Sequence, residues 1–253
     1  MMLKRIIFLV FFIIVCSCSQ DYSEIGVIEV IDGDTIKLSN GRLLRYIGLD
    51  TPETRIKEKG QFIYSPQPFS EEAKEYNRKL VQGKTVRIEF DIQNKDKYGR
   101  LLGYCFVGDT FVNAKLIEEG YAVIYTYPPN VKYADLFASL QRGARQEKRG
   151  LWGSYEVIDH AQAQHYLNQI RTVRGRVLGT YKSSKCLFLN FGRNYRIDFT
   201  VVIFANSLSA FYNKGINPET FYEGKVVEVS GRIREYNGPE IIVNSPHEID
   251  IVE

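Results

Sequence analysis

Cysteine is scarce in this chain. Four stand among 253 residues, two of them within the first 18, which excludes a disulfide scaffold. The other two, Cys105 and Cys186, fall in separate strand-like segments with no partner at metal spacing. They read as free thiols, an interdomain disulfide between them stays open, and a zinc site is excluded. Histidine is rarer still: His160, His165 and His247 have no metal spacing to one another and read as surface or core residues. Charge of one sign is nearly absent. There are 33 Lys+Arg against 30 Asp+Glu, and without residues 1–18, which hold Lys4 and Arg5 and no acid, the balance falls to +1. A blanket polycation for nucleic acid or membrane is excluded, so any anion must be met by a few placed arginines and lysines. Long apolar runs are missing too: residues 6–15 form a run of ten, too short to cross ~30 Å of hydrocarbon as a helix. Yet 44% of the residues are apolar and 25% charged. That is enough to bury one or two real cores and does not suit a disordered, fibrous or collagen-like chain.

Lys4 and Arg5, followed by that apolar run, have the build of a signal peptide. Next comes Val15-Cys16-Ser17-Cys18-Ser19, which resembles a bacterial lipoprotein box. Ser17 is the small residue before the acylated cysteine, whereas bulky Val15 precedes Cys16, so Cys18 is the expected lipid acceptor. The expectation is an exported bacterial lipoprotein, anchored in a membrane through Cys18 at the cell surface or in the periplasm. Several acyl chains at ~0.8 kcal/mol per buried methylene hold stably. A fully secreted protein is the alternative. Residues 1–18 are then the signal and 19–24 a short tether.

Strand patterns begin at Ile25. Residues 25–31, 35–38 and 43–49 alternate or run apolar between turns at Asp32-Gly33 and Ser39-Asn40-Gly41. A helix over 70–81 follows, with Ser70 as its expected N-cap and Gln82-Gly83 as its stop. Strands over 85–91 and 101–107 come next, then helical stretches over 112–119 and 133–148, and Gly150-Leu151-Trp152 closes the unit. Five short strands with a helix between the third and fourth predict a mainly β, α+β fold, a five-stranded OB-type barrel with three helices over residues 25–152. Residues 153–171 read as a linker with a short helix over 159–169. Strand patterns over 172–179, 186–191, 198–204, 226–236 and 240–243 then predict a second small OB-like β-barrel over 172–253.

Three segments of the first unit concentrate chemistry-bearing residues. Asp32-Gly33-Asp34-Thr35 sets two carboxylates two apart on a turn that leads into a strand. Arg45 precedes Asp50-Thr51-Pro52-Glu53 at the end of the third strand, and Asp96-Lys97-Tyr98-Gly99-Arg100 joins the fourth to the fifth. Asp34, Asp50 and Glu53 are oxygen donors without histidine or thiolate, so a metal they shared would be a hard cation, Ca²⁺ ahead of Mg²⁺ or Mn²⁺. Pro52 keeps Thr51 extended and can present its carbonyl beside the Asp50 carboxylate. Arg45 and Arg100 supply guanidinium forks suited to a phosphate gaining charge. Together these are the parts of a phosphodiester-cleaving site: a cation, a carboxylate to orient or activate water, and two arginines.

In this order and on this strand pattern, the first unit resembles the thermonuclease, or staphylococcal nuclease, family over about residues 25–152. The resemblance is carried by Asp32-Gly33-Asp34-Thr35, by Arg45 with Asp50-Thr51-Pro52-Glu53, and by Asp96-Lys97-Tyr98-Gly99-Arg100. Val112-Asn113 with Glu119-Gly120, Tyr125-Thr126-Tyr127 and Gly150-Leu151-Trp152 extend it. The resemblance implies that Asp34, Asp50 and the Thr51 carbonyl bind Ca²⁺, with Asp32 behind them. It implies that Glu53 positions or activates the attacking water, and that Arg45 and Arg100 hold the scissile phosphate. Lys97 and Tyr98 would contact a terminal phosphate, and Tyr125 and Tyr127 would flank a base. The implied activity is endonucleolytic and exonucleolytic hydrolysis of DNA and RNA, leaving 3′-phosphate ends. A monomer with no obligate protein partner is expected. Two tyrosines two apart share one face of an extended segment, and stacking a base on an aromatic ring is worth ~1–3 kcal/mol without sequence preference.

Two departures stand out. Residues 55–69 make a longer loop than the family's, and the appended unit lacks all three chemistry-bearing segments, so it is not a second active site. Its runs Leu187-Phe188-Leu189-Asn190-Phe191-Gly192, Phe199-Thr200-Val201-Val202-Ile203 and Gly231-Arg232-Ile233-Arg234 resemble OB modules attached to some bacterial secreted nucleases. Arg193, Arg196, Arg232 and Arg234 are read there either as an auxiliary nucleic-acid grip or as exposed solubilising charges. The alternative for the whole chain is a barrel that captures nucleic acid, or serves as a lipoprotein scaffold, without cleaving.

Overall fold

The computed structural model describes residues 22–252; the expected signal, Cys18 and the start of the 19–24 tether lie outside the described residues. Strand β1 (Ile25–Asp32) pairs with β2 (Thr35–Leu38), and β2 with β3 (Leu43–Tyr46), as an antiparallel meander. Helix α1 (Ser70–Val81) separates this meander from β7 (Thr85–Glu89) and β8 (Leu101–Val107). Antiparallel pairing of β1 with β7 and β7 with β8, plus parallel pairing of β3 with β8, closes the five strands into a barrel. Its interior is apolar, with Ile36, Leu38, Leu44, Leu101, Tyr104 and Leu116 all buried.

Local irregularities shape this barrel. A register shift in β1 between Val27 and Glu29 breaks the two-residue alternation. It leaves Ile28 half exposed, while Val30 and Asp32 turn inward. The apolar run 43–49 is broken at Gly48, which has φ 86° and sits where a Cβ would lie 2.5 Å from the Phe137 ring. The chain therefore leaves β3 and forms β4 (Gly48–Asp50), which pairs antiparallel with β10 (Val123–Tyr125). Asn113 ties down this kink: its Nδ2 donates to Ile47 O at 2.9 Å, and its Oδ1 accepts from Cys105 N at 2.9 Å. Asn113 belongs to α2 (Val112–Glu118), which follows the short β9 (Thr110–Phe111).

The long loop after Glu53 contains an exposed hairpin, β5 (Arg55–Glu58) and β6 (Gln61–Tyr64). Ser70 is not the cap of α1. Phe69 takes that position in the left-handed region, and the Ser70 hydroxyl donates instead to Gln67 O at 2.6 Å. Helices α3 (Ala134–Gln146) and α4 (Leu151–Ser154) complete the first unit. Among the described residues no helix is long and apolar enough to cross a membrane.

The segment read as a linker holds β11 (Ile158–Asp159) and a 3-10 helix over His160–Tyr166 that Asp159 caps. Beyond it lie β12 (Ile170–Arg176), β13 (Gly179–Lys182), β14 (Cys186–Asn190) and β15 (Thr200–Phe204). Helices α5 (Leu208–Tyr212) and α6 (Pro218–Phe221) precede β16 (Val226–Arg232), β17 (Arg234–Glu235), β18 (Pro239–Ile242) and β19 (Ile249–Ile251). These strands form two sheets, in the orders β11-β12-β16-β19 and β13-β14-β15-β18-β17, around one core that includes Val173, Leu189, Val201, Val229 and Ile241. Cys105 and Cys186 are free thiols, and burial pushes the Cys105 thiol up to about 12.

The two units share an interface. Val123 and Leu151 of the first bury against Ile170 of the second, with Phe69, Trp152 and Tyr155 around them. Arg145 of α3 pairs with Glu228 and Asp250, and the buried Glu248 carboxylate accepts from Thr126 N at 3.1 Å. This interface also reaches the Asp50–Glu53 segment of the first unit, through Arg232 of β16.

Candidate active site

The turn between β1 and β2 brings two carboxylates inward. Asp34 Oδ1 accepts from the Thr35 hydroxyl at 2.9 Å, and Asp34 Oδ2 from Thr51 N and Oγ1 at 3.2 and 3.1 Å. Asp32 accepts from Gly33 N at 3.0 Å and from Thr54 at 3.4 Å. The close approach of this turn to Thr51 requires a glycine, because a Cβ at Gly33 would lie 2.7 Å from Thr51 Oγ1. Helix α1 holds the turn from behind: Asn77 donates to Asp32 O at 3.1 Å and accepts from the Tyr46 hydroxyl at 3.0 Å.

Arg45 stands opposite Thr35 in the β2–β3 ladder and reaches across to the loop after β4. Its Nη1 pairs with Asp34 Oδ2, and its Nη2 lies 2.7 Å from Asp50 Oδ1, so one guanidinium bridges the two expected cation ligands. Burial opposes the charge on Arg45, but Asp34, Asp50 and Glu53 outweigh it and hold its pKa above the ordinary value. Burial would likewise raise Asp50, yet Arg232 and Arg45 bring its pKa below the usual carboxylate range. Glu53 is pushed up to about 8, first by burial and then by Asp34, with Asp50 and Asp32 adding to the rise. Asp32 is also raised, by burial and by Asp34.

The second guanidinium in this cluster comes from the other unit. Arg232, the last residue of β16, donates Nε to Asp50 Oδ2 at 3.0 Å and Nη2 to the Thr51 carbonyl at 2.7 Å. Its Nη1 donates to Gln67 Oε1 and Asn168 O at 3.0 and 2.8 Å, and Glu53 Oε1 lies 3.6 Å from Nη2. Arg232 is neither a peripheral grip nor a solubilising charge. It lies part-buried inside the site, against two of the three expected cation ligands.

The structure thus gathers Asp32, Asp34, Arg45, Asp50, Thr51 and Glu53 at one place. Arg100, Lys97 and Tyr98 stand apart on the loop leading into β8, whose first residue, Leu101, lies beside Leu44 of β3. There Arg100 Nε pairs with Asp96 Oδ2 at 2.7 Å, and Lys97 and Arg100 flank the exposed Tyr98 ring. Tyr125 ends β10, the partner of β4, and Tyr127 follows it, their rings stacked with centroids 6.5 Å apart. Asn77 and Gln67 were missed at the sequence level. Asn77 left a trace there, a polar residue in the stripe Ala73-Asn77-Val81 at the four-residue spacing of a buried helix face. Gln67, in the unmatched loop, left none.

The donor chemistry suits a hard cation, since Asp34, Asp50 and the Thr51 carbonyl are all oxygen and the carboxylates converge on one guanidinium. Among the described residues no three His, Cys, Asp or Glu side chains form a ready cluster. Two carboxylates and a backbone carbonyl make a more open set than that.

Residues 43–154 match the family described as staphylococcal nuclease homologue. The chain is 40% identical to a thermonuclease of Staphylococcus hyicus over 131 residues, 51% of this chain and 75% of that protein. It is 42% identical over 129 residues to the endonuclease YncB of Bacillus subtilis, covering 49% of this chain and 59% of the relative. A second Bacillus subtilis relative, the SPbeta prophage-derived endonuclease YokF, is 40% identical over 138 residues, 53% of this chain and 45% of its own length.

Proposed function

This chain belongs to the staphylococcal nuclease family, and on that premise we propose that it is an exported, metal-dependent nuclease. It hydrolyses phosphodiester bonds of DNA, RNA or both with little sequence specificity and leaves 3′-phosphate ends. The observation that carries the reading is the Arg45 guanidinium bridging Asp34 and Asp50, with Glu53 against the same cluster. Asp34, Asp50 and the Thr51 carbonyl are the residues to hold a hard cation, Ca²⁺ ahead of Mg²⁺ or Mn²⁺. The chemistry supplied at such a site is Lewis-acid polarisation of a phosphoryl oxygen.

The rest falls to side chains. A Glu53 carboxylate titrating near 8 is matched to taking a proton from water at mildly alkaline pH. Asp32 stands behind it and shares a hydrogen bond with it. Arg45 turns its fork to a phosphate as charge develops on the equatorial oxygens. Arg100 joins it from the neighbouring loop, with Asp96 engaging its Nε and the Nη pair left to the phosphate. Lys97 and Tyr98 serve a terminal phosphate, and the stacked Tyr125 and Tyr127 serve a base. Export, with a lipid anchor at Cys18, is part of the proposal and rests on the sequence of residues 1–18. A monomeric state is part of the same proposal.

One observation favours the non-catalytic alternative: Arg232 already occupies Asp50 Oδ2 and the Thr51 carbonyl. A single assay separates the readings. Labelled single- and double-stranded DNA and RNA are incubated with each cation and with chelator, and the product ends are identified. Cation-dependent cleavage to 3′-phosphates, lost in Arg45→Ala by about 10²–10³-fold, is expected. Strand binding without hydrolysis at saturating Ca²⁺, Mg²⁺ and Mn²⁺ would establish the binder instead.

A further inference from the structure

The second unit carries a concave site of its own, a cavity of about 480 Å³ on the five-stranded sheet. Four aromatic rings line it. Tyr181 and Phe188 are paired neighbours on β13 and β14 and stack with centroids 6.1 Å apart; Tyr195 comes from the loop before β15, and Tyr236 from the turn between β17 and β18. Tyr181, Tyr195 and Tyr236 are 63%, 55% and 79% exposed. Exposed aromatics are ordinary when scattered, but several rings gathered in one concavity mark a binding surface.

The ladder orders the polar groups as well. Asn190, Thr200, Glu240 and Arg234 stand opposite one another in register, one on each of β14, β15, β18 and β17, and form a polar row beside the rings. Glu240 is partly buried in the cavity wall; burial raises its pKa, and Arg234 directly opposite acts against that rise. A carboxylate that burial pushes toward its neutral form, with a guanidinium opposite, is poorly suited to hold a cationic guest. At the rim, Arg196 lies 5.7 Å from the Tyr195 ring. Stacking rings, amide and hydroxyl groups beside them and guanidiniums at the border make the inventory of a single-strand binding face.

Arg234 also decides where this face leads. Its positive charge acts on the Tyr125 hydroxyl, so the end of the polar row faces the Tyr125–Tyr127 pair of the first barrel. We propose that the five-stranded sheet of the second unit is a further binding site for single-stranded nucleic acid. Bases stack on Tyr181, Phe188, Tyr195 and Tyr236, and the strand runs on past Arg234 to Tyr125 and Tyr127. The ligand's identity rests on the nuclease reading above. Paired bases cannot stack on side chains without leaving the duplex, so the site selects single strands several nucleotides long.

The test uses the full chain carrying Glu53→Gln, so that substrate survives, in chelator, with fluorescein-labelled single-stranded DNA and RNA of about a dozen nucleotides. Fluorescence anisotropy reads the affinity. Tyr181→Ala with Tyr236→Ala should weaken binding about tenfold or more. Tyr181→Phe with Tyr236→Phe keeps the rings and should keep the affinity. Duplex of the same length should bind more weakly than single strand, and cleavage of a dinucleotide by the Glu53 chain with the two alanines should match that of the parent. Equal affinity of the alanine and phenylalanine pairs overturns the proposal, and so does saturation of the cavity by a quaternary ammonium or an oligosaccharide with no effect of either pair on the oligonucleotide. If the parent binds strands through these rings but cleaves nothing with any cation, the nuclease reading fails and this site stands.

Discussion

Glu53 and Arg232 owe their character to neighbours rather than to their own chemistry. Burial and surrounding carboxylates raise Glu53 to about 8, so without a bound cation it keeps its proton until the pH passes that value and cannot accept one from water below it. Turnover at limiting cation should therefore rise with pH through about 8. Glu53→Gln should abolish that rise and lower kcat by about 10²–10⁴-fold with little change in KM, read from pH–rate profiles of the two proteins. Arg232 has the opposite sign. Its guanidinium lies on Asp50 and the Thr51 carbonyl, where a cation would have to bind. Removing that positive charge, as in Arg232→Gln, should tighten Ca²⁺ binding by on the order of tenfold or more in calorimetry. The same variant should melt lower in chelator, because a buried carboxylate that loses one partner is costly, and Ca²⁺ should recover the difference.

Each element that presents the site depends on one close approach. The β1–β2 turn can rest against Thr51 only because Gly33 has no side chain. Gly33→Ala should push the turn back from Thr51 and part Asp34 from it. The expected result is a loss of cation affinity and of kcat larger than the change in melting temperature, measured by calorimetry and thermal denaturation side by side. Strand β4 exists through Gly48, whose left-handed conformation turns the chain out of the barrel wall under Phe137. Most of the barrel's strands and helices were legible as residue patterns, since periodicity and turn chemistry are local. The break at Gly48 was not legible, because a run of apolar residues carries no mark of where it leaves one sheet for another. Ser70 misled for a related reason. A serine before an acidic, helix-favouring stretch has the look of a cap, but Phe69 takes the turn and frees the hydroxyl for Gln67.

At the scale of the whole molecule, the second unit is part of the site. Arg232 reaches the cation ligands, Arg234 reaches Tyr125, and Glu248 holds the Thr126 backbone between the two tyrosines. Glu248 is buried, and burial pushes it up to about 8 although Asn244 and Thr126 donate to it. The native chain thus binds a proton there that the unfolded chain has released above the ordinary glutamate value of 4.5. Stability should fall with rising pH between about 4.5 and 8, by up to ~1.4 kcal/mol per pH unit for this one proton. Glu248→Gln removes the titration, and the variant should gain on the parent in denaturant midpoint as pH rises through that window.

Residue types and spacings by themselves determined the strand meander, the helices, the three chemistry-bearing segments and the family they belong to. These are set within a few residues, where backbone preference and side-chain periodicity act. Tertiary structure alone decided that Arg45 spans Asp34 and Asp50, that Glu53 is raised, and that Arg232, 182 positions along the chain from Asp50, enters the same cluster. An arginine on a strand is equally at home in water or on a carboxylate. The interface that sets one unit on the other, with Val123 and Leu151 packed on Ile170 and Arg145 paired with Glu228 and Asp250, selects between them.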